Sequence, residues 1–327
     1  MSALLAQFQF APYYDVAVAS RRGCGPVQRA ENQDNFVVID FAGQACCLLE
    51  QRVRRTQLAG WPAGHGRVAV LDGMGGHGHG REAAEAVAEG LLALPPCRTV
   101  AELAGQLDLL HARLQRHFAT AALATGARPG TTLTLLELPP GAAPLLYHVG
   151  DSRLYEIGPQ QARPLTVDHV PATAAAMAGQ IDEHGWRQRV HGSHSPHIAQ
   201  AFILGNTFSN PAQLSDPLLG LTPLNLPTWL GELADRRVLT LRAGAAYLLA
   251  TDGFWSCAAP ERFVAGWPAL LANAPDAGAM VTRLFDALDR APPAGLQADN
   301  LTALVLRPLL FRHCEGEETA LPHDGRD

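Results

Sequence analysis

Val68-Ala69-Val70-Leu71-Asp72-Gly73-Met74-Gly75-Gly76-His77-Gly78-His79-Gly80 runs an apolar stretch straight into a carboxylate and then into a glycine-dense turn. Its β-branched content predicts a strand ending at Leu71. Ala83, Ala84, Val87, Ala88, Leu91 and Leu92 then recur at helical spacing across residues 82–92, so the glycines form a strand-to-helix turn. Asp72 is thereby predicted at a strand tip, where glycine lets backbone approach a ligand closely. Asp followed by Gly offers one hard carboxylate and one unobstructed carbonyl oxygen, which suits Mg²⁺ or Mn²⁺ holding several waters. Taken alone, such a turn is more often a bland connection or a nucleotide loop than a metal site.

The pattern recurs. Tyr247-Leu-Leu-Ala-Thr-Asp252-Gly253 is a second apolar run ending in Asp-Gly, and Asp299-Asn300 opens another apolar run. Gly150-Asp151-Ser152-Arg153 adds a further acid between two short strands. Carboxylates gathered at strand ends repel one another, at a cost that cations remove.

The chain has 327 residues, 47% of them apolar, and a formal net charge of −6. That suffices for a buried core without staples, and one domain is expected. The negative balance argues against nucleic-acid binding, which needs clustered cations. Every basic residue is Arg and none is Lys, which suits bidentate phosphate binding wherever one stands in a site. Cys24, Cys46, Cys47, Cys97, Cys257 and Cys314 form no C-x-x-C pair, so reduced thiols are expected rather than a zinc knuckle or a disulfide scaffold. Residues 1–10 lack a basic leader, and no stretch is long enough to span a bilayer, so a soluble cytoplasmic protein is expected.

In chain order, residues 14–20 alternate like a strand, and a polar turn containing Arg29 and Asp34 leads into a second strand. Arg29 can fork onto a phosphate while Asp34 orients metal-bound water; otherwise the two form a surface ion pair in a bland turn. Residues 41–67 read as an enlarged, solvated loop in which Cys46-Cys-Leu-Leu extends a strand. A docking surface for an acidic partner, carried by Arg52, Arg54 and Arg55, is the alternative. Thr99-Val-Ala-Glu102 reads as a capping box opening a long helix with Leu103, Leu107, Leu110, Leu114 and Phe118 on one face. Residues 130–138, 145–149 and 153–157 read as a meander of short strands. Residues 170–204 show no strand period. Their histidines, His184, His191, His194 and His197, are irregularly spaced, so a solvated flap is favoured over a zinc site. Residues 206–233 form a second enlarged loop, residues 238–244 and 245–251 a strand pair, and residues 277–290 an amphipathic helix. A last core strand follows at residues 300–306. The catalytic domain is expected over residues 1–310, with residues 311–327 an acidic, disordered tail.

Arg29-x-x-Asn32-Gln33-Asp34, Asp72-Gly73-Met74-Gly75-Gly76-His77, Gly130-Thr131-Thr132, Gly150-Asp151-Ser152-Arg153, Asp168-His169, Asp252-Gly253 and Asp299-Asn300, in this order, resemble the bacterial branch of the type 2C metal-dependent protein phosphatases (PP2C, or PPM). The match spans residues 14–307, and the ordered set is far more specific than any one member. The resemblance implies an α+β fold, a four-layer α/β/β/α sandwich of two packed antiparallel β-sheets flanked by helices. It implies two Mn²⁺ or Mg²⁺ ions, with Asp72 bridging both, the Gly73 carbonyl completing one site, and Asp252 with Asp299 holding the other. Asp34 would hold metal-bound waters and Arg29 the substrate phosphoryl oxygens, so catalysis falls to Arg29, Asp34 and Asp72. The implied reaction is hydrolysis of phosphoserine or phosphothreonine by in-line attack of a metal-bridging hydroxide, since paired cations acidify water and clamp the developing charge. No cysteine stands in a phosphate-cradling loop, against a cysteine-dependent mechanism. Implied partners are phosphorylated protein substrates and a cognate Ser/Thr kinase pathway, with the chain a monomer that binds neither nucleic acid nor membrane.

Three positions depart from the resembled pattern. Gln33 stands where many relatives carry Glu. Met74 stands where some carry a His proposed as general acid, leaving metal-bound water or His77 as proton source. Ser256 stands where relatives often supply an acid to a third ion beside the equivalent of Asp151, so a third site is expected to be weak or absent. Two other functions are weighed: a pseudophosphatase that binds phosphoprotein or partner without turnover, against which Asp72, Asp252 and Asp299 argue, and a metal-dependent nuclease, which an acidic chain fits poorly.

Overall fold

Strand Gly66–Leu71 is buried along its whole length, because its two faces serve different cores. Ala69 and Leu71 pack towards helices, whereas Val68 and Val70 pack towards a second sheet, as the two-residue period of a strand requires. The computed structural model describes residues 5–24, 27–75, 79–125, 129–194, 197–209 and 217–309. His77 and the acidic stretch 311–327 lie outside the described residues.

Seven strands form one sheet in the order Arg236–Val238, Leu145–Val149, Leu133–Leu138, Gly66–Leu71, Asn35–Ile39, Gln44–Leu49 and Arg52–Gln57. Five form the other, in the order Tyr14–Arg21, Leu301–Pro308, Ala246–Ala250, Arg153–Ile157 and Ala162–Pro164. Neighbouring strands run antiparallel, with Val37 opposite Ala69 in the first sheet and Leu249 opposite Leu304 in the second. Val18, Val38, Val70, Leu136, Leu249 and Leu304 fill the space between the sheets. Sheets whose inner faces interdigitate in this way exclude water from a common core.

Helices His79–Ala93 and Val100–Thr125 cover the outer face of the seven-stranded sheet, with Val87, Leu91, Leu103 and Leu107 against Val37 and Leu135. The second helix opens on the capping box expected from sequence: the Glu102 N–H donates to Thr99 Oγ1 (3.2 Å), and Glu102 Oε2 accepts from the Thr99 N–H (3.3 Å). Helix Ala277–Arg290 buries Val281, Leu284, Phe285 and Leu288 on the outer face of the five-stranded sheet. The result is an α+β sandwich of helices, sheet, sheet and helices, as the resemblance implied.

Several local expectations are corrected. Residues 153–157 do not continue a meander: strand Leu145–Val149 belongs to the seven-stranded sheet and Arg153–Ile157 to the five-stranded one, so Gly150 to Ser152 carry the chain between sheets. Strands Arg236–Val238 and Ala246–Ala250 likewise lie in different sheets and do not pair. Strands Leu145–Val149, Arg153–Ile157 and Ala246–Ala250 are buried on both faces and carry no alternation that tells one sheet from the other, and Arg236–Val238 is too short to show one. Within residues 41–67 the expected solvated loop contains two strands that widen the sheet, Gln44–Leu49 and Arg52–Gln57. Residues 170–204 hold helices Pro171–Met177 and Glu183–Val190, packed with Leu221, Leu226 and Leu230 into a small core of their own. Trp186 anchors it, donating from Nε1 to Thr173 Oγ1 (3.0 Å) and meeting Trp229 edge to face at 5.5 Å. Cys24, Cys46, Cys47, Cys97 and Cys257 are buried free thiols.

Candidate metal centre

Asp72 follows strand Gly66–Leu71, and the Gly130-Thr131-Thr132 segment fixes its backbone. The Asp72 N–H donates to Thr132 Oγ1 (2.9 Å), while the Asp72 carbonyl accepts from the Thr132 N–H (2.9 Å) and the Thr131 hydroxyl (3.0 Å). Gly73 is obligatory because a Cβ there would strike the carbonyl oxygens of Gly80 and Gln33. The second Asp-Gly pair is built alike: a Cβ on Gly253 would strike the Asn300 carbonyl oxygen. Asn300 in turn accepts from the Gln33 N–H at Oδ1 (2.8 Å) and donates from Nδ2 to the Glu31 carbonyl (2.9 Å). Motifs distant along the chain are therefore locked to one another through backbone.

The outcome is a cleft of about 810 Å³ lined by Asp72, Asp151, Asp252 and Asp299, with Gly73 beside them. These are the acids singled out from sequence, and the fold brings them together from both sheets. Asp34 lies buried beside them. Its Oδ2 accepts from the hydroxyls of Thr251 (2.7 Å) and Thr302 (2.9 Å), and its Oδ1 has no protein partner among the described residues. Burial holds the Asp34 carboxyl well above the usual carboxylate range, against the two threonine hydroxyls and with Asp299 and Asp252 adding to the rise. Burial likewise pushes Asp72 well up, reinforced by Asp34, Asp252, Asp299 and Asp151. Asp151 is pushed well up by burial, then by Asp252 and Asp168. Asp299 is raised by burial and Asp252, with Arg29 opposing.

Crowded carboxylates that raise one another in this way suit a bound cation, whose positive charge would reverse the local pKa logic. The donors are all oxygen, and the orphaned Asp34 Oδ1 is an acceptor that an ion's water would satisfy. This set fits Mg²⁺ or Mn²⁺. Among the described residues, no three His, Cys, Asp or Glu side chains are grouped closely enough to cage a metal ion by themselves.

Arg29 stands at the mouth, half exposed, with Nη2 at 3.1 Å from Asp299 Oδ1. Sequence reasoning missed His194, which it assigned to a solvated flap. The ring lies against the acids, Nε2 at 3.6 Å from Asp252 Oδ2 and 3.4 Å from Ser256 Oγ. No spacing rule connects positions so far apart in the chain. The Ser256 hydroxyl donates to the Asp252 carbonyl (2.9 Å) and so braces the ligand turn. Asp168, quoted in a motif but given no role, accepts from Arg153 Nε and Nη2 (2.9 and 2.7 Å). Arg153 also stacks 4.6 Å from the Trp255 ring centre and donates to the Val190 carbonyl (2.7 Å), tying the 171–190 helices to the turn that carries Asp151.

No family model and no curated protein matches this chain. Solved structures do. The serine/threonine phosphatase of S. agalactiae superposes with a TM-score of 0.62 at 19% identity, covering 90% of this chain and 99% of that one. The Mycobacterium tuberculosis phosphatase PstP/Ppp gives 0.57 at 21% identity, covering 90% and 98%. The catalytic domain of PstP in complex with two manganese ions gives 0.57 at 21%, covering 91% and 99%. Over nine-tenths of its length, this chain has the fold of the bacterial serine/threonine phosphatases.

Proposed function

We propose that this chain is a metal-dependent serine/threonine protein phosphatase of the PPM type. The observation that carries the reading is the convergence of Asp72, Asp252 and Asp299 on one cleft, with Arg29 at its mouth and the orphaned Asp34 oxygen beside it. In this reading Asp72, the Gly73 carbonyl, Asp252 and Asp299 hold two Mn²⁺ or Mg²⁺ ions, and Asp34 accepts hydrogen bonds from their waters. Asp151 offers a donor for a third, weaker ion, with Ser256 supplying no carboxylate. Once bound, such cations would acidify water and neutralise charge developing on the phosphoryl group. Arg29 orients that group with guanidinium N–H donors not engaged by Asp299. Substrates are phosphoserine and phosphothreonine proteins of a cytoplasmic kinase pathway, and the chain acts as a monomer. Among the described residues no helix is long and apolar enough to cross a membrane.

Hydrolysis of an aryl phosphate and a phosphothreonine peptide with Mn²⁺, with and without chelator, tests this. We expect chelator-sensitive turnover of both, and a loss of more than about a hundredfold in Asp252→Asn, with its thermal unfolding still cooperative. Well-folded protein without metal-dependent turnover would leave a pseudophosphatase as the surviving reading.

A further inference from the structure

Strand Arg52–Gln57 ends the seven-stranded sheet, bonded on one side to Gln44–Leu49 and exposed at nearly every residue. An edge strand of this kind offers a row of N–H and C=O groups to an incoming extended chain. In a protein of net charge −6, this edge carries Arg52, Arg54 and Arg55, all exposed. None of the three is in an ion pair among the described residues, although the Arg55 guanidinium lies 5.6 Å over the Phe8 ring, and the nearby Glu85 is already taken by Arg81 (3.0 Å). Arg54 stands opposite Cys47 and Arg55 opposite Cys46, so the cations flank both faces of the edge. The strand also starts at the cleft. Gln51, which lines it, accepts from the Asn32 N–H (3.1 Å), and Glu50 and Gln51 turn the chain there with φ of 49° and 61°. From that rim the strand leads outward for about 20 Å.

We infer that this edge docks an extended acidic segment of the phosphoprotein substrate, adding it as a further strand while the phosphorylated residue enters the cleft. The inference rests on the phosphatase reading and deepens it by naming the substrate class. Charge on an edge strand also serves simply to prevent self-association, and the experiment separates the two roles.

Two phosphothreonine peptides are compared, one with Glu on both flanks and one with Gln, against wild type, R52E/R54E/R55E and the milder R52Q/R54Q/R55Q. Hydrolysis is followed with Mn²⁺, and binding by fluorescence anisotropy in chelator. We expect wild type to show a KM about tenfold lower for the Glu peptide, a preference abolished in both variants and in about 0.5 M salt. Aryl phosphate turnover should stay within about twofold in all three proteins. Equal KM values for the two peptides in wild type overturn the inference. So does a preference kept in either variant, and self-association of that variant on gel filtration would then assign the arginines to edge protection alone. Absence of aryl phosphate turnover in wild type defeats the phosphatase reading instead, and the anisotropy comparison then still decides the docking edge.

Discussion

Asp235 is fully buried, with Oδ2 accepting from the Leu221 N–H (2.9 Å) and lying 3.5 Å from His169 Nε2. Burial pushes its carboxyl up from 3.8 to about 7, against the Leu221 hydrogen bond and Arg236. Between those values the folded chain keeps a proton that the unfolded chain has released. The stabilisation is therefore complete below the lower value and lost as pH rises through the upper one. Asp235→Asn should gain on wild type by about 1 kcal/mol per pH unit across that window. Urea unfolding at pH 5, 6 and 7 checks this, and a difference that does not change with pH would contradict it. At this scale Asp72 and Asp252 were legible, because Asp-Gly at a strand end leaves a mark: Gly73 and Gly253 are forced by close backbone approach. His194 was not, because its contact with Asp252 exists only after the chain folds back.

Helices announce themselves more clearly than sheets. The Thr99 to Glu102 capping box and the apolar stripe of helix Ala277–Arg290 were read correctly, since both signals are local. The 171–190 helices were missed because they are short and their apolar partners, Leu221, Leu226 and Leu230, come from a later segment. Together they make a unit whose core is separate from the three large ones, and such units open by themselves. Trp186→Ala should remove about 3–5 kcal/mol from it. Hydrogen exchange would register this as lost protection in helices Pro171–Met177 and Glu183–Val190, with strand Gly66–Leu71 unchanged. Equal loss in both places would show that the unit is not separable.

Across the whole molecule, the number of sheets came from the resemblance and not from periodicity. Strands buried on both faces, such as Arg153–Ile157, carry no mark of which sheet they join. The cleft draws on both: Asp72 follows a strand of one sheet, while Asp252 and Asp299 adjoin strands of the other. Strand Leu301–Pro308 lies between Tyr14–Arg21 and Ala246–Ala250, so it joins the edge strand to the rest of the sheet and sets Asp299 beside the Asp252 turn. A chain ended after Asn300 should therefore lose cooperative thermal unfolding, and a sharp transition in that truncated chain would contradict the role given to the strand. That placement also matters during synthesis. At about 5–20 residues per second, Tyr14–Arg21 leaves the ribosome some 15–60 s before its neighbour exists. For that interval the strand's hydrogen-bonding groups wait for the partner that the finished fold gives them.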